Sequence, residues 1–589
     1  MQQNQSLLIP YGISDFGMLR EQGYYYVDKT RFVRQLERDG RYIFMLRPRR
    51  FGKSLFMAVL DYYYNVKYAD RFDTIFSGLD IGMNPTPERS SYQVLKFNFS
   101  GVNPGVEKVL ASFNNKVNVT LQKFAADYAE MLPVETLSKL QSYEDCDQAF
   151  TYLMNQAELA GMNIYLMIDE YDNFANTLMS MDEDGYTTLT HGDGYFRLFF
   201  NIVKEATTGA GSPIKRIFIT GVTPLTLSDV TSGFNIGMNL SMDGRYNEMV
   251  GFTEGEVRQM LTYYRDATGC FRHTVDELID AMKPWYDSNC FSIFSIENER
   301  MFNSDMTLYF LAKYIANGGN FPDPMIDPNV STDYNKVASM VKYERGFGEK
   351  TGIMQHILNE GKTDAEVISE FNLLELGRPE CLRSLLYYMG MLTFGKDEED
   401  DECLVVPNAV VRQQYYRYMT HVYETQLRWR ADDEQMTQLG RRMAKLGDGL
   451  PLIRYIASCL TTDSSSRDFD PQAEAFVKGF MLAHLGGRNN YFCTMTEREL
   501  NHGYSDILML PMRSWGHAFV IELKYVDHHA TDEAVLKVTE QAHAQLARYV
   551  ADHQLQQQAD QRGWTLHRYC VVFSGWELRV CEEGQRPVP

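Results

Sequence analysis

The chain has 589 residues, 44% of them hydrophobic and 13% aromatic, with a formal net charge of −21 at pH 7. That length exceeds what one hydrophobic core organises and predicts several domains; the composition excludes a disordered chain, and so acidic a field argues against a protein that coats nucleic acid, while leaving room for an enzyme that meets a polyanion at a metal-loaded site. No apolar run approaches the roughly 20 residues that cross a bilayer, the opening MQQNQSLLIP lacks a basic-then-apolar secretory pattern, and nine cysteines are scattered without CxxC spacing, so a cytoplasmic protein with reduced thiols, no structural zinc and no membrane partner is expected.

From Tyr42 to about Ala267, short apolar runs alternate with helix-like stretches. Strands are predicted at Tyr42–Leu46, Gln93–Phe97, Ile164–Ile168 and Lys215–Thr220, each ending in a polar or Gly-containing turn. This is the pattern of a mostly parallel sheet with helices on both faces. Between the first strand and the next helical stretch lies Arg47-Pro48-Arg49-Arg50-Phe51-Gly52-Lys53-Ser54. Its end matches a phosphate-binding loop, although Arg47 stands at the first glycine position. In such a loop backbone N–H groups and a helix N-terminus meet the phosphates, a lysine (Lys53) neutralises the β/γ oxygens, and a hydroxyl (Ser54) can ligate Mg²⁺.

The strand Ile164–Ile168 runs into Asp169-Glu170. An acid there can hold Mg²⁺ through water, and its neighbour Glu170 can polarise the attacking water. Two such signals about 110 residues apart reinforce each other, and ATP with Mg²⁺ is the expected cofactor pair. Thr220 or Thr223, at the end of the fourth strand, is placed either to read the γ-phosphate or simply to cap the strand. Asp28 and Lys29 read as nucleotide contacts or, preferably, as a salt-bridged turn. Arg49 and Arg50 either reach the γ-phosphate or a partner, or seat the loop. No reliable arginine finger is legible, Arg216 and Arg245 being candidates only.

Gly12-Ile13-Ser14-Asp15-Phe16, Tyr25-Tyr26-Val27-Asp28-Lys29-Thr30 and the loop Arg47–Ser54 together resemble a bacterial AAA-ATPase-like family, related to the archaeal-type and STAND ATPases. The resemblance extends through Gly251-Phe252-Thr253-Glu254 and covers about residues 7–265. It implies that Arg47 is the family's own loop form. The expected nucleotide-binding residues are Arg49, Arg50, Phe51, Gly52, Lys53, Ser54, Asp169 and Thr220. The family's Tyr-x-Gly-Tyr turn is replaced here by Tyr286-Asp287-Ser288-Asn289.

From Glu254 to Asn372 the pattern turns helical and irregular. Ser384–Phe394, the acidic turn Lys396–Glu402 and Leu404–Val406 then read as a helix and a charged-tip hairpin, as in a winged-helix module or a plain hairpin packed on helices.

Past Pro471, a helix (Ala473–Leu485) precedes short strands and a long helix near Thr531–His553. Asp506 opens the apolar stretch Ile507–Leu510, and Phe519-Val520-Ile521-Glu522-Leu523-Lys524 follows after a turn. Residues two apart on a strand share a face, so Glu522 and Lys524 point the same way and a neighbouring strand can bring Asp506 beside them. Two carboxylates and a lysine suit metal-assisted hydrolysis. This D…ExK pattern resembles the PD-(D/E)XK nuclease superfamily over roughly residues 470–575. The resemblance adds Glu499 as a further acid, Glu474 as the first-helix acid, and Gln545 with Tyr549 as a Q-x-x-x-Y pair, with Gln541 one turn earlier. Ser505 departs from the usual Pro or Arg before the aspartate.

The expected fold class is therefore α/β: a P-loop NTPase (AAA/STAND-like) parallel-sheet domain over 1–265, a helical region over 266–375, a winged-helix-like and helical linker region over 376–465, and a C-terminal α/β PD-(D/E)XK nuclease-like domain over 466–589. Expected catalytic residues are Glu170, Asp506, Glu522 and Lys524; expected metal ligands are Ser54, Asp169, Glu499, Asp506 and Glu522. The expected function is ATP binding and hydrolysis coupled to metal-dependent cleavage of DNA or RNA, the alternative being an ATP-dependent switch whose C-terminal domain binds without cutting.

Overall fold

The computed structural model describes residues 7–101, 106–173, 195–225, 237–298, 300–322, 324–327, 349–397, 399–426, 430–461, 473–487, 491–496, 498–501, 503–512 and 516–584. The chain divides into two compact units, Met1–Met340 with Ala365–Leu404, and Val341–Asp364 with Val405–Pro589. The stretch expected as one linker region, 376–465, is thus shared out: its helix and hairpin lie in the first unit, its later helices in the second.

The first unit is built on five parallel strands, β1 (Tyr42–Leu46), β2 (Gln93–Asn98), β3 (Ile164–Asp169), β4 (Ile214–Gly221) and β5 (Met238–Asn239), in the order β2-β3-β4-β1-β5. Every residue of β3 is buried, as expected for a parallel strand covered on both faces. The register pairs Leu46 with Gly221, Ile168 with Ile219 and Asn98 with Asp169. The strands therefore end together, at the carboxyl edge where open α/β sheets bind ligands. Helix α1 (Lys53–Tyr64) follows β1 and buries Phe56, Met57, Val59, Leu60, Tyr63 and Tyr64 in the core.

Beyond the sheet, α2 (Glu254–Thr268) starts at a reciprocal cap between Thr253 and Glu256 and stops at Gly269, whose φ of 64° only a residue without Cβ adopts freely. Helix α3 (Ser304–Ala316) is capped by the Asn303 side chain. A further helix, Pro379–Tyr388, ends at Gly390 (φ 77°) and leads into the hairpin of β6 (Thr393–Lys396) and β7 (Glu402–Val405). The Thr393 hydroxyl accepts from Cys290 N–H at 2.7 Å and donates to Cys290 O at 2.8 Å, which pins the hairpin to the loop before α3.

In the second unit, helix α4 (Ala473–Gly487) precedes a five-stranded mixed sheet of β8 (Phe492–Met495), β9 (Ile507–Pro511), β10 (His517–Val526), β11 (Thr565–Ser574) and β12 (Glu577–Glu583), ordered β12-β11-β10-β9-β8. Helix α5 (Asp532–Val550) lies in the crossover between β10 and β11, which pair in parallel over ten residues. Such a parallel pair requires a long connection. One core joins α5 to the sheet, with Val535, Ala542, Leu546 and Tyr549 against Leu508, Val520, Cys570 and Val572. Val520 marks the even-numbered face of β10 as the one covered by α5, so Glu522 and Lys524 share that side.

Candidate functional sites

The turn from β1 into α1 makes the first site. Gly52 caps α1 at φ 94°, and Arg50 also takes a left-handed φ of 66°. Two left-handed residues so close together turn the chain sharply between β1 and α1. Lys53, 7% exposed, donates to the Arg47 and Pro48 carbonyls at 3.0 and 2.9 Å. Burial pulls its pKa down, against the pull of Glu170, Asp169 and Asp172. The Ser54 hydroxyl donates to Asp169 Oδ2 at 2.8 Å, and Asp169 Oδ1 is buried without a hydrogen-bond partner among the described residues. Glu170 sits at φ 55°, its pKa raised by burial and held back by Lys53. A cavity of about 390 Å³ is lined by Arg49–Ser54 and Glu170, by Ile13 and Tyr25–Val27, and by Met249–Phe252 with Ser304 and Asp305. Its size falls in the range of small-ligand sites.

Arg47 does not face this cavity. It is 1% exposed, its guanidinium donates to the carbonyls of Leu46, Ser241 and Tyr246, and it stacks over Phe291 with its carbon 4.4 Å from the ring centre. Burial lowers its pKa to about 10, so it stays a cation at neutral pH. Arginine at the first glycine position is therefore a strut that fastens the loop to the chain beyond β5.

The neighbouring arginines differ. Arg50 pairs with Asp305 at 2.8 Å, and the Ser304 hydroxyl and Asp305 N–H both donate to Arg50 O, so the loop is seated on the first turn of α3. Arg49 donates to Asn173 Oδ1 at 3.2 Å.

The hydroxyls of both threonines weighed as phosphate readers are engaged within the protein. The Thr220 hydroxyl, 1% exposed, donates to Met45 O at 2.8 Å. Thr223 donates through its hydroxyl and N–H to the buried Asp172 carboxylate. Lys29 makes a buried ion pair with Glu256 at 2.6 Å, and Asp28 accepts from Thr30 and from Asp80 N–H, so the salt-bridged turn is the arrangement found. Arg216 is bound to Glu88, Gly40 O and Glu37 O at the opposite end of β4 from Gly221, and Arg245 pairs with Asp39 and Asp243.

In the second unit, strand pairing brings Asp506 to the middle of β10. Asp506 Oδ2 accepts the Leu523 N–H at 2.9 Å, the residue between Glu522 and Lys524. Lys524 donates to Glu522 Oε1 at 2.7 Å. Glu522 is 2% exposed and its Oε2 has no hydrogen-bond partner among the described residues. Burial, then the charge of Asp506, pushes its pKa up to about 7, against Lys524. Lys524 is lowered by burial, but the bond and charge of Glu522 outweigh this and raise it overall, so it is a firm cation. Tyr549 lies close enough for its hydroxyl to be raised by burial and by Glu522, and Gln545 stands one turn before it. Gln541 and Glu474 are exposed, and the Glu499 side chain lies outside what the structure describes. Sequence reasoning missed Lys478 of α4, whose Nζ is 3.3 Å from Asp506 Oδ1. The only signal was its position, one turn beyond Glu474.

No metal-binding group of three or more His, Cys, Asp or Glu occurs among the described residues. Nevertheless, an unpartnered buried carboxylate oxygen recurs at each site, Asp169 Oδ1 beside Ser54 and Glu522 Oε2 beside Asp506. All-oxygen donor sets of this kind fit a hard divalent cation.

A P-loop-like parallel-sheet domain followed by a nuclease-like αβ domain is the class these two sites define. Residues 10–231 match the family described as predicted AAA-ATPase, and residues 472–583 match the PD-(D/E)XK nuclease superfamily. The chain carries both domains. It is also similar to the uncharacterized protein in the vnfD 5′ region of Azotobacter chroococcum mcd 1, 29% identical over 256 residues that make up 42% of this chain and 44% of that protein. The match thus spans less than half the length of the relative. Among the described residues no helix is long and apolar enough to cross a membrane.

Proposed function

We propose that the protein binds and hydrolyses ATP in its first unit and uses that cycle to control metal-dependent phosphodiester cleavage of DNA or RNA in its second. The ATPase reading is carried by the Ser54–Asp169 bond beneath Lys53, which unites the two sequence signals at one strand edge. Phosphate oxygens would replace the Arg47 and Pro48 carbonyls as acceptors for Lys53. Glu170 would take a proton from the water that attacks the γ-phosphorus, yielding ADP and phosphate; a raised pKa makes it the better base for that step. Ser54 and Asp169 would hold Mg²⁺, which would supply neutralisation of phosphate charge.

The nuclease reading is carried by Glu522, a buried carboxylate with one oxygen held by Lys524 and the other unpartnered. Asp506 and Glu522 would hold a divalent cation that polarises the scissile phosphate. Because Lys524 remains protonated, its role is to stabilise the charge growing on phosphorus-bound oxygen rather than to act as base. One observation favours the alternative, a switch that binds without cutting: each carboxylate already has a lysine against it, Lys478 on Asp506 and Lys524 on Glu522.

The test is incubation of the full chain with Mg²⁺ or Mn²⁺ and single- and double-stranded DNA and RNA, with and without ATP, beside Asp506→Ala and Lys524→Ala. Cleavage lost in both variants supports the enzyme. Wild type and variants alike inert, with ATP hydrolysis intact, would leave the switch.

A further inference from the structure

Lys478 comes to the acidic centre from α4, a different element from the strands that carry Asp506, Glu522 and Lys524. Its Nζ lies 3.3 Å from Asp506 Oδ1, and the two side chains are 17% and 18% exposed, so the pair is largely withdrawn from water. The other Asp506 oxygen is fixed by Leu523 N–H. Hence Oδ1 is the atom through which Asp506 would reach a cation, and that atom faces Lys478. With Lys524 on Glu522, the described side chains at the centre are two carboxyl groups and two ammonium groups. Removing Lys478 takes one positive charge from it.

We propose that Lys478 is a positioning residue of this centre, a resident counter-ion that holds Asp506 in place and competes with a divalent cation for Asp506 Oδ1. The inference rests on the metal-binding reading above. A lysine suits the part: its charge is a compact point on a flexible four-carbon stem, and it can withdraw when a stronger cation arrives. A dication entering a centre with Lys478 in place meets a like charge, and removing that charge makes entry more favourable. Purely structural support would predict the opposite, because loss of a partner for Asp506 would loosen the site.

The experiment is a calorimetric titration of the full chain with Mn²⁺, in the absence of nucleotide, on wild type, Lys478→Met, Lys478→Arg and Asp506→Ala. The heat lost in Asp506→Ala defines the C-terminal site. Thermal unfolding of the same samples in chelator verifies the fold, and Lys478→Gln replaces the Met variant if that variant is unfolded. The expected result is Mn²⁺ affinity about tenfold tighter in Lys478→Met and within about twofold of wild type in Lys478→Arg, with a larger Mn²⁺-induced rise in the unfolding midpoint for Lys478→Met. Unchanged or weaker affinity in Lys478→Met, with the wild-type site intact, overturns the role given to Lys478 alone. If Asp506→Ala binds Mn²⁺ like wild type, the metal-binding reading itself falls, and the inference with it.

Discussion

Arg47→Gly restores the glycine that a generic phosphate loop carries, and a motif-based view expects it to be harmless or helpful. The structure predicts damage to the fold instead. The guanidinium serves the carbonyls of Leu46, Ser241 and Tyr246, and each buried carbonyl left without a donor costs about 1–3 kcal/mol. Against this, a pKa lowered from 12.5 to about 10 means that burying the charge costs about 3 kcal/mol, which the variant recovers. The net expectation is a loss of about 3 kcal/mol, in the unit that contains the loop. Arg47→Lys should recover only part of it, because one ammonium cannot reach Ser241 O and Tyr246 O with a planar fork. Urea unfolding followed by fluorescence, with ATP affinity measured below the transition, separates the two views. Should Arg47→Gly unfold like wild type yet bind ATP much more weakly, Arg47 would be a phosphate ligand and the buried-strut account would be wrong.

Lys53→Ala should weaken ATP binding at least about 100-fold, since the β/γ oxygens lose their cation; unchanged affinity by equilibrium dialysis would refute the loop assignment. Glu170→Gln should retain ATP binding and lower its hydrolysis by about 10²–10⁴, as read by phosphate release. Glu256→Ala would strand the Lys29 ammonium, 6% exposed, and should cost about 3–5 kcal/mol in urea unfolding; a loss below about 1 kcal/mol would show the pair to be dispensable. In chelator, Glu522 has a folded pKa near 7, above its ordinary 4.5. The folded state therefore holds that proton more tightly, and its contribution to stability grows as pH falls from about 7 towards 4.5 and is lost as pH rises through 7. Glu522→Gln should remove this slope from the unfolding of the second unit, and a slope that persists would assign the titration elsewhere.

Gly52-Lys53-Ser54 and Asp169-Glu170 were legible because strand, turn and helix fix each motif locally, and the shared carboxyl edge of a parallel sheet then brings them together. Asp506, Glu522 and Lys524 were legible for a similar reason: two-residue alternation fixed the face, and one antiparallel pairing supplied the rest. Arg47 was read as a loop form without its job, because its acceptors Ser241 and Tyr246 lie nearly 200 residues on and no local pattern encodes them. Lys478 escaped for the same cause, its partner being on another element. The helix and charged-tip hairpin read from Ser384–Phe394, Lys396–Glu402 and Leu404–Val406 are the helix Pro379–Tyr388 and the strands Thr393–Lys396 and Glu402–Val405, and the left-handed Gly390 separates helix from hairpin. Thr220 and Thr223 left two roles open, and the neighbours that engage their hydroxyls, Met45 O and Asp172, come from elsewhere in the chain.

Gly390 carries one more implication. A Cβ there would lie 2.8 Å from the Pro48 Cβ, and the adjoining Tyr387 hydroxyl donates to Phe291 O, the residue whose ring stacks on Arg47. The back of the phosphate loop is thus completed by chain synthesised about 340 residues later (Arg47 to Tyr387). At roughly 5–20 residues per second a ribosome makes the loop well before its support, an interval on the order of half a minute. A fragment cut at the end of the AAA-ATPase match, residue 231, would hold the loop, Asp169 and Glu170, yet lack Ser241, Tyr246, Phe291 and Gly390. Such a fragment should emerge with the motifs intact and the loop unsupported, and the nascent chain passes through that same state on its way to the finished protein.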